Sequence, residues 1–199
     1  TTSLAALQAE NDLPMVGVVE PTCRRAVLMT QNKRVGLIAT AASVRSGAYE
    51  AALRRLDPEV EVFRQSCPLF VPLVENGRFR PGDIVIETVA REYLEPLRET
   101  GIDTLILGCT HYPLLRSTLR QIMGEKVNLV NPAYETAVEL KTLLRDMDLT
   151  RSSEDLERFS EENSRRAAAG EPILDQYQFF VSDRAENFTR FAKAILPKE

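Results

Sequence analysis

The 199 residues carry 25 lysines and arginines against 29 aspartates and glutamates, a formal net charge of -4 and a pI near 5.3, with 44% of residues apolar. That length and apolar share bury a core in one large domain or two small ones. The acidic balance, with no basic stripe, argues against nucleic acid as the main partner. No apolar run approaches a membrane span, and the first residues do not read as a signal peptide. Three widely spaced cysteines, Cys23, Cys67 and Cys109, are an odd number that suits a reducing compartment better than a disulfide framework.

Short apolar runs alternate with longer helical stretches. Residues 15–19 and 34–39 read as buried strands, followed by 60–63, 103–107, 126–130 and 178–181. Their β-branched, two-sided apolar character suits a sheet covered on both faces. The spacing predicts a helix over 46–56, with Tyr49, Leu53 and Leu56 on one stripe and a stop at Asp57-Pro58. Another is predicted over 81–100, carrying Ile84, Val89, Tyr93 and Leu97, with Pro96 as a kink point and an end at Gly101. Further helices are predicted over 113–123, 133–147 and 186–195. Such alternation predicts right-handed βαβ units, a parallel sheet and the α/β fold class. Residues 150–172 break the rhythm with charge-rich sequence and read as a solvated helix or surface excursion.

Several familiar sites are excluded. The chain has no G-x-G-x-x-G after a strand, no Walker loop, no C-x-x-C and no H-E-x-x-H. One histidine cannot build a histidine-rich metal site. A serine triad has only His111 to draw on, and no G-x-S-x-G elbow accompanies it.

That histidine lies two residues from a cysteine, in Leu105-Ile106-Leu107-Gly108-Cys109-Thr110-His111-Tyr112-Pro113-Leu114-Leu115. The apolar run reads as a strand ending at Gly108. Pro113 suits the first turn of a following helix, with Thr110 or Tyr112 near its cap. Cys109 then stands at the carboxyl end of a parallel strand, where open α/β sheets bind ligands. A helix N-terminus and a neighbouring imidazole both favour thiolate over thiol, giving a nucleophile or a general base. His111 is a candidate to tune Cys109, to shuttle a proton or to bind a carboxylate. Against this stands the plainer reading of Cys109 as a small buried hydrophobe and His111 as a helix-start donor.

Other candidates have equally plain alternatives. Cys23 belongs to the first turn of a helix and Cys67 precedes Pro68; both read as structural, although Arg24 and Arg25 beside Cys23 favour its ionised form. Glu75 ends an apolar segment and is either a site carboxylate or an exposed loop acid. Thr40 ends a strand on the presumed ligand edge and is either a site hydroxyl or a helix cap. The Asn187-Phe188-Thr189 sequon reads as idle, since nothing points to secretion.

The run Gly108-Cys109-Thr110-His111-Tyr112-Pro113-Leu114-Leu115 resembles the second catalytic-cysteine signature of bacterial glutamate racemases. The resemblance extends through Val16-Gly17-Val18, Val35 to Thr40, Ser46-Gly47-Ala48-Tyr49-Glu50, Cys67-Pro68, Phe70 to Glu75 and Phe179 to Asp183, in the family's order. It implies a bacterial cytoplasmic enzyme that interconverts L- and D-glutamate without cofactor or metal and supplies D-glutamate for peptidoglycan. Two cysteines would flank the substrate α-carbon between two similar α/β lobes, one thiolate removing the proton and the opposing thiol returning one. Carried over by residue, Cys109 matches the base acting on L-glutamate, His111 the residue assisting it, and Thr110 and Thr40 substrate contacts. Glu75 matches a carboxylate proposed to assist in some members, and Thr1 a substrate-contacting threonine.

The departures are equally definite. The family's Asp-Ser-Gly, Pro-Tyr-Gly and Cys-Asn-Thr motifs, the last with the first catalytic cysteine, do not occur in the chain. Residues 1–5 resemble the stretch just after that cysteine, so the expectation is a C-terminal portion of a longer enzyme. Asn131 stands where many relatives have Asp, and 150–172 resembles an insertion. By the family layout, 20–130 would form the second domain, and 1–19 with 131–199 would be part of the first, leaving that lobe incomplete. The partner implied is a small molecule, glutamate, with oligomeric state left open, a homodimer included. Aspartate racemase or a related two-cysteine enzyme is the rival within the class; a non-catalytic carboxylate-binding module is the rival outside it.

Overall fold

Four strands form one parallel sheet in the computed structural model, which describes residues 3–172, 174 and 192. They are β1 (Arg34–Ala39), β2 (Glu61–Ser66), β3 (Thr104–Gly108) and β4 (Asn128–Val130), in the spatial order β2-β1-β3-β4. The two inner strands are the two most continuously apolar runs, buried from Val35 to Ala39 and from Thr104 to Leu107. β2, at an edge, exposes Glu61 and Arg64 instead. Register pairs Ala39 with both Ser66 and Gly108, so β1, β2 and β3 finish level.

Alternation along β1 sends its side chains to opposite faces. Val35, Leu37 and Ala39 join Ile106 and Val130 in a core with Cys23 and Ala26 of α2 (Val19–Met29) and Tyr49, Ala52 and Leu53 of α4 (Ala48–Leu56). On the other face a Cβ at Gly36 would run into Ile102 and Leu97, the latter from α6 (Ile84–Glu99). There α6 buries Ile86, Ala90, Leu94 and Leu97 and packs against α7 (Arg116–Met123), which buries Leu119 and Ile122. Each such side chain contributes about 1.5–3 kcal/mol on leaving water. The result is a layer of helices on each side of the sheet, as the α/β pattern predicts.

The structure departs from the sequence reading in three places. Residues 15–19 are not a strand: α2 begins at Val19, and among the described residues no strand pairs with 15–18, so their amides have no ladder to join. The helix over 46–56 is two, α3 (Ala41–Ser46) and α4, because Gly47 takes the left-handed conformation, φ +64°, ending one and starting the next. The helix over 113–123 opens as a 3-10 turn at Tyr112–Leu115 before α7. Two short helices went unread, α1 (Leu4–Glu10) and α5 (Phe70–Glu75). The predicted elements at 178–181 and 186–195, and the sequon, lie outside the described residues.

The chain divides into two compact units, Thr1–Leu140 and Lys141–Glu199, with the boundary inside α8 (Pro132–Asp146). In the second unit α9 (Ser153–Ala168) starts on a reciprocal Ser152–Asp155 capping box and buries none of its residues, the solvated helix expected over 150–172. Asn163 holds the backbone of Leu174 at both its N–H (2.7 Å) and its C=O (3.1 Å). No helix among the described residues is long and apolar enough to cross a membrane.

At the amino edge of the sheet Asp103 organises the chain entering β1. Its carboxylate accepts from the Thr30 hydroxyl (2.7 Å), the Gln31 and Asn32 amides (2.7 and 2.9 Å) and the Thr104 hydroxyl (3.0 Å). Burial penalises the charge, but those four donors outweigh it and hold the carboxyl below its ordinary 3.8. A folded-state value below the unfolded one contributes stability in full above the unfolded value, and that contribution is lost as pH falls through the folded one. Asp103→Ala is expected to cost about 2 kcal/mol at pH 7, moderated by solvent screening of a partly exposed group. Urea unfolding at pH 7 and below pH 3 checks this: the gap between wild type and variant narrows in acid.

Candidate active site

All four strands end at one edge, and the residues just past them are Thr40, Cys67, Cys109 and Asn131. Gly108 sets how tightly that edge is built: a Cβ there would lie 2.9 Å from the Ile38 carbonyl oxygen and 3.1 Å from the Ala39 Cβ. With no side chain at 108, β3 lies close against β1 and the chain turns at once. The Cys109 amide donates back to the Leu107 carbonyl (2.8 Å), and the Tyr112 amide to the Cys109 carbonyl (3.1 Å).

The turn presents Cys109, Thr110 and His111 to one another. His111 Nδ1 lies 3.8 Å from Cys109 Sγ and 3.3 Å from Thr110 Oγ1, while Nε2 lies 3.1 Å from Glu75 Oε1. A carboxylate can only accept, so in the neutral ring Nε2 carries the proton and the Nδ1 lone pair faces both the Thr110 hydroxyl and the Cys109 thiol. Carboxylate, imidazole and sulfur therefore stand in one row. The Glu75 side chain is 58% exposed and that of His111 21%, so the pair adds at most about 1 kcal/mol to stability and acts through orientation.

An aromatic lock delivers Glu75 to the row. α5 is anchored by buried Phe70 and Val74 and ends at Glu75. The Phe70 ring meets Tyr93 of α6 and Tyr112 of the motif edge-on, with centroids 5.3 and 5.2 Å apart. The Tyr112 hydroxyl donates to the Cys67 carbonyl (3.0 Å). The 3-10 turn has His111 at its N-cap, between Thr110 and Tyr112 as expected, with the side chains of those two turned to His111 and Cys67, and α7 starts seven residues beyond Cys109.

The other thiols are locked in the core. Cys67 is fully buried, its Sγ on the Gln65 carbonyl at 3.8 Å, and burial pushes its thiol up. Cys23 is equally buried against the Tyr49 carbonyl (3.7 Å), with its thiol pushed up to about 12 by burial and then by Glu20. The arginines beside it in sequence reach α8 instead, Arg24 to Glu139 at 2.7 Å and Arg25 to Glu135 at 3.8 Å. Burial pushes the Tyr49 hydroxyl up to about 12, which keeps it neutral.

Thr40 shares the edge with Cys109 through the Ala39–Gly108 pairing. Its hydroxyl caps α3, accepting from the Ser43 amide at 3.3 Å, and lies 3.1 Å from the Ser43 hydroxyl. Ser43 was missed in the sequence; the signal available was Thr40 itself, a strand-end hydroxyl placed to cap the helix that follows. Thr1 lies outside the described residues. Among the described residues no group of His, Cys, Asp and Glu converges to hold a metal ion.

A parallel sheet whose carboxyl edge presents a thiol, an imidazole and a carboxylate in line defines an α/β protein equipped for proton transfer at sulfur. The chain belongs to the Asp/Glu/Hydantoin racemase family, whose profile matches residues 1–140. It is 42% identical over 194 residues to the glutamate racemase of Geobacter metallireducens, across 98% of this chain and 64% of that protein. Among solved structures it resembles glutamate racemase isoform RacE1 of Bacillus anthracis, at 33% identity and a TM-score of 0.69 over 87% of this chain and 69% of that one. It also resembles the Francisella tularensis glutamate racemase solved in complex with D-glutamate, at 30% identity and a TM-score of 0.66 over 76% and 55%. The chain thus spans a little under two thirds of the length of the Geobacter relative.

Proposed function

We propose that this chain carries one proton-transfer position of a cofactor-independent glutamate racemase, bacterial and cytoplasmic, whose D-glutamate feeds peptidoglycan. The observation that carries the reading is the row Glu75–His111–Cys109 at the carboxyl edge of the sheet. Cys109 takes the α-proton, His111 receives it from sulfur through Nδ1, and Glu75 holds the ring so that this nitrogen is the one facing sulfur. Thr110, with Thr40 and Ser43 across the β1–β3 pair, offers hydroxyl donors for the substrate carboxylates. The glutamate bound in the Francisella relative supports the substrate. In this reading residues 20–130 form the lobe that presents Cys109, and 1–19 with 131–199 contribute to the other.

The test is α-proton exchange into deuterated water, followed by NMR, with glutamate and aspartate as separate substrates. Exchange on glutamate supports the reading; exchange on aspartate alone transfers it to the rival substrate, and saturable binding without exchange makes the chain a carboxylate-binding module. Glu75→Gln keeps an acceptor at Nε2 but removes its charge. It is expected to slow exchange about tenfold, the low end of what losing an imidazole's outer partner costs. A full-rate variant would remove Glu75 from the row.

A further inference from the structure

Connectivity puts every segment that leaves a strand's carboxyl end on one rim of the sheet, and that rim has its own charge. Residues 40–47, 67–83 and 109–116 carry the chain away from β1, β2 and β3, and they hold Arg45, Arg78, Arg80 and Arg116 against Glu75 and Asp83. The connections at the opposite edge, 30–33, 57–60, 100–103 and 124–127, hold Lys33 and Lys126 against Asp57, Glu59, Asp103 and Glu125. A chain of net charge -4 thus turns its positive side toward Cys109.

Pairing sharpens the contrast. Acids near the rim are taken: Asp83 by Arg78 (3.0 Å), Glu50 of α4 by Arg64 (3.0 Å) and Glu135 of α8 by Arg25 (3.8 Å). Among the described residues Arg45, Arg80 and Arg116 enter no ion pair, and all three are exposed. Arg116 is the first residue of α7, whose first turn has no acid, so its charge opposes the helix dipole. The stability of α7 gives no reason for an arginine there; an anion at the edge does.

We propose that Arg45, Arg80 and Arg116 form an electropositive collar along the carboxyl edge that draws carboxylate-bearing ligands to Cys109. For the ligand it names, glutamate, the inference rests on the function proposed above; two carboxylates against one ammonium leave that amino acid anionic at neutral pH. None of the three arginines has to touch the substrate. Each acts through the field it adds over the rim, which raises the local concentration of anions and the rate at which they arrive. Such a field reaches about a Debye length, ~10 Å at 0.1 M salt, so capture weakens as salt rises.

The field can be read at the thiol itself. Iodoacetate and iodoacetamide alkylate a thiolate by the same displacement of iodide, one as an anion and the other neutral. The ratio of their rates cancels any change in thiol ionisation and reports local potential. Both rates are followed at Cys109 by mass spectrometry on the folded 199-residue chain, with 2-mercaptoethanol as the reference thiol. At about 0.01 M salt the iodoacetate-to-iodoacetamide ratio is expected to exceed the reference about threefold, less than a focused cleft supplies because Glu75 opposes the arginines. At about 1 M salt the excess is expected to vanish. Replacing all three arginines by glutamine is expected to abolish the excess and to weaken L-glutamate binding, titrated by NMR at low salt, about threefold. Arg116→Glu suits a helix start, so it is expected to fold at least as stably as wild type and still to lower the ratio. Arg54→Gln, at an unpaired arginine in the last turn of α4, is expected to leave the ratio unchanged. A wild-type ratio equal to the reference, or an excess that survives in the triple variant, overturns the collar and leaves the glutamate reading to its own exchange test. An excess without glutamate binding supports the collar and sinks glutamate as its ligand.

Discussion

Replacing Cys109 by serine is expected to slow α-proton removal from glutamate about 1,000-fold, within the range that one positioned acid–base group supplies. A thiol gives up its proton near pH 8.5 in water, whereas a hydroxyl does not in the accessible range. The substitution is close to isosteric at a partly exposed position where Sγ lies 3.8 Å from the His111 ring. Folding stability is therefore expected to change by less than about 0.5 kcal/mol. Separating kcat from KM completes the test: the hydroxyls of Thr110, Thr40 and Ser43 proposed to bind substrate stay in place in the serine variant, so the loss is expected on kcat. Cys23→Ser, made in parallel, is expected to be close to silent in the same assay, because that sulfur faces the Tyr49 carbonyl inside the core. A serine variant at position 109 that keeps most of its exchange rate would remove this thiol from the chemistry.

Legibility in the sequence depends on how local each feature is. β1 and β3 were readable because both faces of an inner strand are buried and its run is apolar throughout, as in 35–39 and 104–107. Residues 15–19 carry the same composition and fail, because a strand also needs a partner, and composition says nothing of one. Gly47 falls inside the helix predicted over 46–56; only its positive φ shows that it divides α3 from α4. At the site, Cys109, Thr110 and His111 were legible together because one turn holds all three. Glu75 stands 36 residues away from His111; its place at the end of an apolar segment left it either a site carboxylate or a loop acid, since no spacing rule links the end of α5 to a loop after β3. Thr40 fits its plainer reading as a helix cap while still standing on the carboxyl edge, so one hydroxyl serves both descriptions.

The long-range piece that the sequence hid is the aromatic lock, and it makes the second large prediction. Phe70 is fully buried and touches Tyr93 and Tyr112 edge-on, so it joins α5, α6 and the turn after Cys109. Phe70→Ala removes a ring from a closed space and is expected to cost about 3–5 kcal/mol. That is a large part of the roughly 5–15 kcal/mol typical of a folded domain. The kinetic consequence separates this residue from an ordinary core phenylalanine. α5 has two buried anchors, Phe70 and Val74, and loses the larger, so Glu75 no longer holds Nε2 of His111 in place. Exchange per folded molecule is expected to drop at least as far as in Glu75→Gln, about tenfold. Phe70→Leu keeps most of the buried volume, costs about 1–1.5 kcal/mol and should recover much of the rate. Measuring urea midpoints and exchange rates on the same samples decides between a purely structural role and a positioning one. If the folded fraction of Phe70→Ala exchanges at the wild-type rate, the lock stabilises the domain without setting the site.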